Sequence, residues 1–245
     1  MLPSSPPRYS SWSEMTKAIR LGAMGWPVYA LQVAVGVTPD GTFGPMTERA
    51  VKKWQADHGL AADGVVGPRT QGRILWLASS RADKLAGVPV GLAAGFAQWE
   101  GGNLLAATNW YTPPGGVPGV DCGPAQWRQY GPPFLMSGLK EAFDPNKALY
   151  HAAFAADYRR DEFVRRRPSL GRHWNGLRTA ILAHNAPFMA EQIVRYGHLS
   201  TPNALAGWTI KPGGGHYTHG EWATVYPNKL LSFTDVPPAT GSPRA

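Results

Sequence analysis

An eight-residue pattern occurs twice near the N-terminus and constrains the fold more than any other feature. Asp40-Gly41-Thr42-Phe43-Gly44-Pro45-Met46-Thr47 is matched 23 residues later by Asp63-Gly64-Val65-Val66-Gly67-Pro68-Arg69-Thr70, both reading D-G-x-x-G-P-x-T. Asp-Gly makes a turn in which glycine can take positive φ. Gly-Pro then opens a helix, with proline in the first turn, where a missing N–H costs nothing. The first copy leads into a helix over Met46–His58, with Ala50, Val51, Trp54 and Gln55 on one face and Gly59 placed to end it. Upstream, Val28, Leu31 and Val35 stand at i, i+3 and i+7 of a preceding helix. A small helical module over residues 18–77 is expected.

Composition limits the rest. Hydrophobic residues make up 43% of the 245, enough for a real core, and the single cysteine excludes an internal disulfide framework or a Cys-rich metal site. No apolar run reaches the length that spans a membrane, and Met1-Leu2-Pro3-Ser4-Ser5-Pro6-Pro7 lacks the apolar stretch of a secretory signal. The formal charge of +8 implies an anionic partner, such as a bacterial envelope. No helix-turn-helix, zinc-finger or RNP pattern accompanies the charge, so no specific nucleic-acid partner is expected. The densest basic stretch, Arg159 to Arg167, is diluted by Asp161 and Glu162 and reads as a solvated helix face.

Along the chain, residues 1–17 read as a loose arm and 78–87 as a short polar linker. Residues 88–210 form a second, mainly helical domain with amphipathic segments at Val90–Trp99, Lys147–Val164 and Gly176–Tyr196. Residues 211–245, with Gly213-Gly214-Gly215 and Pro237-Pro238, read as a Gly/Pro-rich tail.

Within the second domain one carboxylate is well placed for chemistry. Leu92, Ala93, Phe96 and Ala97 make an apolar helix ending in Gln98-Trp99-Glu100-Gly101-Gly102-Asn103. Partial desolvation and the negative end of the helix dipole both raise the pKa of a glutamate there, as a general acid requires. Downstream come Gly123-Pro124-Ala125-Gln126 and Ala183-His184-Asn185-Ala186-Pro187. Rival sites are weaker. Cys122 with His151 or His184 could form a cysteine nucleophile, although a lone cysteine is more often a small buried residue. His216 and His219 could begin a metal site but lack an evident third ligand. No cofactor is expected, and neither a G-x-S-x-G nor a phosphate-loop motif occurs.

Two family resemblances follow from these motifs. Gly25, Val28, Leu31-Gln32, the two D-G-x-x-G-P-x-T units, Ala50-Val51, Trp54-Gln55 and Gly59-Leu60 resemble the type 1 peptidoglycan-binding domain, a compact three-helix module. Glu100-Gly101-Gly102, then Gly123-x-x-Gln126, then Ala183-His184-Asn185-Ala186 resemble the E-S-G, G-L-M-Q and A-Y-N-A-G signatures of the soluble lytic transglycosylase and goose-type lysozyme group. Gly101 stands where that group has serine, Pro124-Ala125 replace Leu-Met, His184 replaces tyrosine and Pro187 replaces glycine. The second resemblance implies a lysozyme-like α-helical domain in which Glu100 protonates the bond between N-acetylmuramic acid and N-acetylglucosamine. It also implies that Gln126 and Asn185 hold the sugar. Trp99, Trp110, Tyr111 and Trp127 are either stacking faces for sugar or ordinary core residues. His184 is either a hydrogen-bonding ring of the site or a packing residue. Asp121 either activates water, making a hydrolytic muramidase, or caps a loop, leaving a lytic transglycosylase with one acid. A non-catalytic wall-binding protein is the alternative of another class. The layout resembles a bacteriophage endolysin: a monomer that acts on peptidoglycan glycan strands and waits in the host cytoplasm until released to the wall.

Overall fold

The computed structural model describes residues 2, 12–111, 119–128, 138–171, 175–199 and 217–236. The expected arm falls largely outside them, apart from a short helix α1 (Trp12–Met15). Next come α2 (Trp26–Val35), α3 (Pro45–Asp57) and α4 (Pro68–Ala86). Both α3 and α4 start at the Gly-Pro step of the repeat, with Gly44 and Gly67 extended and the proline in the first turn.

A buried glutamine eight residues ahead of each Asp-Gly closes each unit. Gln32 donates to Asp40 Oδ1 (2.8 Å), the Thr42 carbonyl (3.1 Å) and Thr47 Oγ1 (3.0 Å), and its Oε1 accepts from Gly41 N–H (2.8 Å). Gln55 repeats this with Asp63 (3.0 Å), Val65 (3.0 Å), Thr70 (3.3 Å) and Gly64 (2.9 Å). The conserved geometry of the two turns therefore comes from one amide that satisfies both a donor and several acceptors out of water.

The expected linker over 78–87 is not one. Helix α4 runs through it to Ala86 and stops at Gly87, whose φ is 69°. Ala78, Ser79, Ala82, Asp83 and Ala86 are buried, giving α4 a small-residue face that lies against α5 (Leu92–Trp99) and α7 (Pro145–Arg166). A segment that is polar in composition thus has helical spacing, and the spacing prevails. Asp83, fully enclosed, accepts from the N–H groups of Gly91 (2.7 Å) and Ala93 (2.8 Å) and so caps α5 from a neighbouring helix. Further ties cross the same boundary. Leu105 N–H donates to Gln71 Oε1 (3.1 Å), and Trp26 stacks on Phe143 with ring centroids 5.0 Å apart. A main core runs from Ile19 to Val236 and draws on both halves, with a smaller cluster of Phe163, Ala180, Ala183, Ala190 and Val194 beside it.

Beyond α5 the described chain is mainly helical, as expected, with one small antiparallel sheet ordered β1 (Thr108–Tyr111), β2 (Gly119–Cys122), β3 (Trp127–Arg128). Then follow α6 (Leu139–Ala142), α7, a 3-10 turn at Pro168–Leu170, α8 (Gly176–Asn185), α9 (Pro187–Tyr196) and α10 (His219–Leu231). Asp144 caps α7 by accepting from Asn146 and Lys147 N–H, with Pro145 in the first turn. The single helix expected over Gly176–Tyr196 is two. Ala186 leaves helical geometry and Pro187, which has no N–H to continue α8, begins α9.

The expected tail contains α10, which starts from a capping box. Thr218 Oγ1 accepts from Glu221 N–H (3.2 Å), and Glu221 Oε2 accepts from Thr218 N–H (2.7 Å). This helix packs on α5 and α8. The approach to α5 is backbone-close: a Cβ on Gly95 would lie 2.3 Å from the Leu230 carbonyl oxygen, and one on Gly91 1.9 Å from that of Phe233. Glycine is required at both positions for the helices to meet.

Candidate active site

Glu100 is the residue at which α5 ends, its N–H still bonded to the Phe96 carbonyl (2.9 Å). The residue is half-buried, but its carboxyl group is enclosed, and burial pushes its pKa up to about 7. Tyr226 of α10 donates its hydroxyl to Glu100 Oε1 and pulls the other way, while the charge of Asp121 adds to the rise. Asp121 lies on β2, paired across the ladder with Asn109 and Arg128. The loop position expected for it is therefore a strand position, and its charge acts at Glu100.

The glycine at position 101 has a steric cause. A Cβ on Gly101 would sit 2.4 Å from the Pro124 carbonyl oxygen, so a serine there is incompatible with this path of the Gly123–Gln126 loop. A Cβ on Gly123, where φ is 77°, would sit 1.8 Å from the Ala142 carbonyl oxygen. The Glu-Gly-Gly turn is thus fitted to the Gly-Pro-Ala-Gln loop at Gly101, and that loop is fitted to Ala142 at Gly123.

Gln126, at φ 50°, uses its amide N–H groups inside the fold, donating to the carbonyls of Ala107 (3.2 Å) and Gly123 (2.9 Å). Its oxygen is the group left for a ligand, where both donors and acceptors were expected. Asn185 is the reverse: its oxygen accepts from Trp222 Nε1 (3.2 Å), and its amide N–H groups remain. His184 is packed into the fold. Its ring lies against Phe96 (4.7 Å) and Trp127 (5.4 Å), and Nε2 is 3.0 Å from the Ala125 carbonyl, which can only accept, so that nitrogen carries the hydrogen. Trp127 donates to the Ala148 carbonyl (3.0 Å) and anchors the sheet to α7. Trp99, 48% exposed, remains available as a stacking face beside Glu100. The side chains of Trp110 and Tyr111 lie outside the described set, although their backbones pair in β1.

Tyr226, Trp222 and Arg159 were not anticipated. Tyr226 is buried, and burial raises its pKa well above 10, with the Glu100 carboxylate reinforcing the rise and the Arg159 charge opposing it. Arg159 is itself drawn out of water, which lowers its pKa. The sequence signal was Thr218-x-x-Glu221 ahead of Trp222, Ala223, Tyr226 and Leu230.

The rival centres fall away. Cys122 is buried, and desolvation followed by the Asp121 charge pushes its thiol up to about 12, so it is no ready nucleophile. His216 lies outside the described residues. In the basic stretch, Arg160 pairs with Asp157 (2.6 Å) and Asp161 (3.2 Å), and Arg166 with Glu162 (3.2 Å) and Glu191. The expected solvated face holds for Arg165 and Arg166, which are exposed, but not for Arg159, which is drawn out of water. In the repeat module, a groove of about 620 Å³ is lined by Gln55, Leu60, Asp63, Val65 and Arg69 among others.

Over 98 residues, 40% of this chain and 37% of the other protein, the chain is 34% identical to the zinc D-Ala-D-Ala carboxypeptidase of Streptomyces albus G. It thus spans little more than a third of that relative's length. Among the described residues no three His, Cys, Asp or Glu side chains converge to hold a metal ion. They do not fit the zinc of that name. Residues 25–74 match the peptidoglycan binding domain family. The helices built on the repeated D-G-x-x-G-P-x-T turns are therefore an N-terminal peptidoglycan-binding domain, carried by a chain whose second half surrounds an enclosed glutamate.

Proposed function

We propose that the protein cleaves the β-1,4 bond between N-acetylmuramic acid and N-acetylglucosamine in peptidoglycan, as a lytic transglycosylase. The observation that carries this reading is Glu100, an enclosed carboxyl whose pKa near 7 leaves a substantial protonated fraction at neutral pH. Glu100 gives its proton to the glycosidic oxygen as the bond to the departing sugar breaks. The resulting carboxylate, stabilised by the Tyr226 hydroxyl, then takes the proton of the muramyl C6 hydroxyl as that oxygen attacks C1. The product is a 1,6-anhydro ring, and Glu100 is again protonated. Gln126 and Asn185 offer an acceptor and donors to the sugar. The N-terminal domain holds the wall.

One observation favours hydrolysis as a second course: Asp121 is close enough to raise the Glu100 pKa, and a second carboxylate can activate water. The relative's name supports a third course, cleavage of the peptide stems. Mass spectrometry of fragments released from purified sacculi separates the three. Anhydro-muramyl ends support the transglycosylase, reducing ends the muramidase, and intact glycan with shortened stems the peptidase. Loss of glycan products in Glu100→Gln assigns the acid. We place the protein as a monomeric endolysin of bacteriophage type, held in the host cytoplasm until it reaches the wall, with no specific nucleic-acid partner.

A further inference from the structure

Helix α10 brings a cation over the ring of Trp99, the residue before Glu100. Lys229 stands one turn beyond Tyr226, the residue bonded to Glu100. Its Nζ lies 4.5 Å from the centroid of the Trp99 ring, 5.7 Å from that of Trp222 and 6.0 Å from that of Tyr217. Trp99 directly precedes Glu100 and is 48% exposed, and Trp222 is the ring bonded to Asn185. The ammonium is thus held by aromatic faces drawn from α5 and α10. Among the described residues it has neither an ion pair nor a hydrogen bond from Nζ. Ring faces stabilise the charge but leave its three N–H donors unused. Arg160 and Arg166 have carboxylate partners, whereas Lys229 is surrounded by three rings.

We propose that Lys229, fixed by Trp99, Trp222 and Tyr217, is the point at which the site recognises a carboxylate on its glycan substrate. The inference rests on the glycosidase reading of Glu100 and adds a specificity to it: acid-bearing strands over neutral ones. The carboxylate belongs either to the lactyl ether of the sugar or to the peptide attached there. In both cases a carboxylate accepts charge-assisted hydrogen bonds from the ammonium while the sugar face rests on Trp99.

The test titrates the full-length Glu100→Gln protein, labelled with ¹⁵N, against three soluble glycan probes. These are strands carrying stem peptides, strands stripped to the lactyl carboxylate, and the stripped strands with that carboxylate methyl-esterified. The Trp99 indole resonance reports binding at this site and not in the N-terminal groove. The expected result is binding about tenfold tighter for the acid than for the esterified strand, with the difference shrinking as salt rises. Lys229→Met should bring the ratio near one and Lys229→Arg should keep it. The arm with the larger preference, lactyl or peptide, identifies the source of the carboxylate. Equal binding of acid and ester by the lysine-bearing protein overturns the proposal without any variant being needed. A Lys229→Met protein that weakens both probes alike also overturns it, because that is the signature of a packing role. Cleavage by wild-type protein is scored separately. Glycan products without acid preference sink the role of Lys229 alone, whereas preference without glycan products leaves that role standing and sinks the glycosidase reading.

Discussion

The two halves of the molecule solve the same problem, finding partners for buried amide, carboxyl and ring groups, at different ranges along the chain. In the repeat module the Gln32 and Gln55 networks close within 15 residues. Around Glu100 the bonds that define the site join residues far apart: Tyr226 to Glu100 across 126 positions, His184 to Ala125 across 59 and Trp222 to Asn185 across 37. A locally closed unit can be repeated and carried between proteins. A site closed from a distance depends on the whole core, and its acid can be held in a state that water would not permit.

The largest effect that tests this contrast is Glu100→Gln. Removing a general acid should lower glycan release from sacculi by about 10³-fold, with pelleting on walls retained through the N-terminal domain. The same change should stabilise the protein at alkaline pH. In the folded chain the carboxyl is raised from 4.5 to about 7, so between those values the native state holds more protons than the unfolded one. Its contribution is complete below the ordinary carboxyl range and is lost as pH rises through 7. Denaturant unfolding should show Glu100→Gln more stable than wild type by up to about 3 kcal/mol at pH 8, and little different at pH 4. A mutant without that pH-dependent gain would mean that the carboxyl is solvated and the site differs from the one described.

Next in size is the joint between the halves. Asp83→Ala leaves the N–H groups of Gly91 and Ala93 without their acceptor, which should cost about 2–4 kcal/mol. Because those groups start the helix that ends at Glu100, activity on soluble strands should fall with stability. A fragment ending near Ser80 should fold poorly, since it cuts α4 and discards Asp83 and Ala86. If that fragment proves fully cooperative and binds walls as well as the intact chain, residues 78–87 are a linker after all. Smaller is the damage from Gln55→Ala, about 2–3 kcal/mol from orphaning the Gly64 N–H and its neighbours. It should weaken pelleting on walls while cleavage of short soluble strands persists.

The difference in range also explains what could be read in advance. The module, its helix starts at Pro45 and Pro68 and the position of Glu100 were legible because each rests on residues a few places apart. The role of His184 was not, because Tyr and His at that position differ only in what Phe96, Ala125 and Trp127 leave room for. Helix α10 was obscured by Pro227 inside it and by glycines before it, although the Thr218–Glu221 box marked its start. Tyr226 could be recognised as part of the site only after α10 had been laid on α5. The stretch 78–87 misled for a related reason: Asp83 is charged in the sequence, and its two backbone partners are visible only in the fold.

The finest test uses the two groups that act on Glu100 in opposite senses. The Tyr226 hydroxyl favours the ionised carboxylate and lowers the Glu100 pKa, whereas the negative charge of Asp121 raises it. In kcat/KM against pH, activity that needs protonated Glu100 falls on an alkaline limb near 7. Tyr226→Phe should move that limb to higher pH, and should also lower the plateau because the carboxylate formed on proton transfer loses its donor. Asp121→Asn should move the limb to lower pH by a smaller amount, since burial and the Tyr226 bond outweigh Asp121. The position of the limb is independent of its height, so the sign can be read even if Asp121→Asn lowers the rate, as it would if Asp121 activates water. Shifts of opposite sign require both groups to touch the same proton. Shifts of the same sign, or none in either variant, would break the link between α10, β2 and the end of α5 on which the site is built.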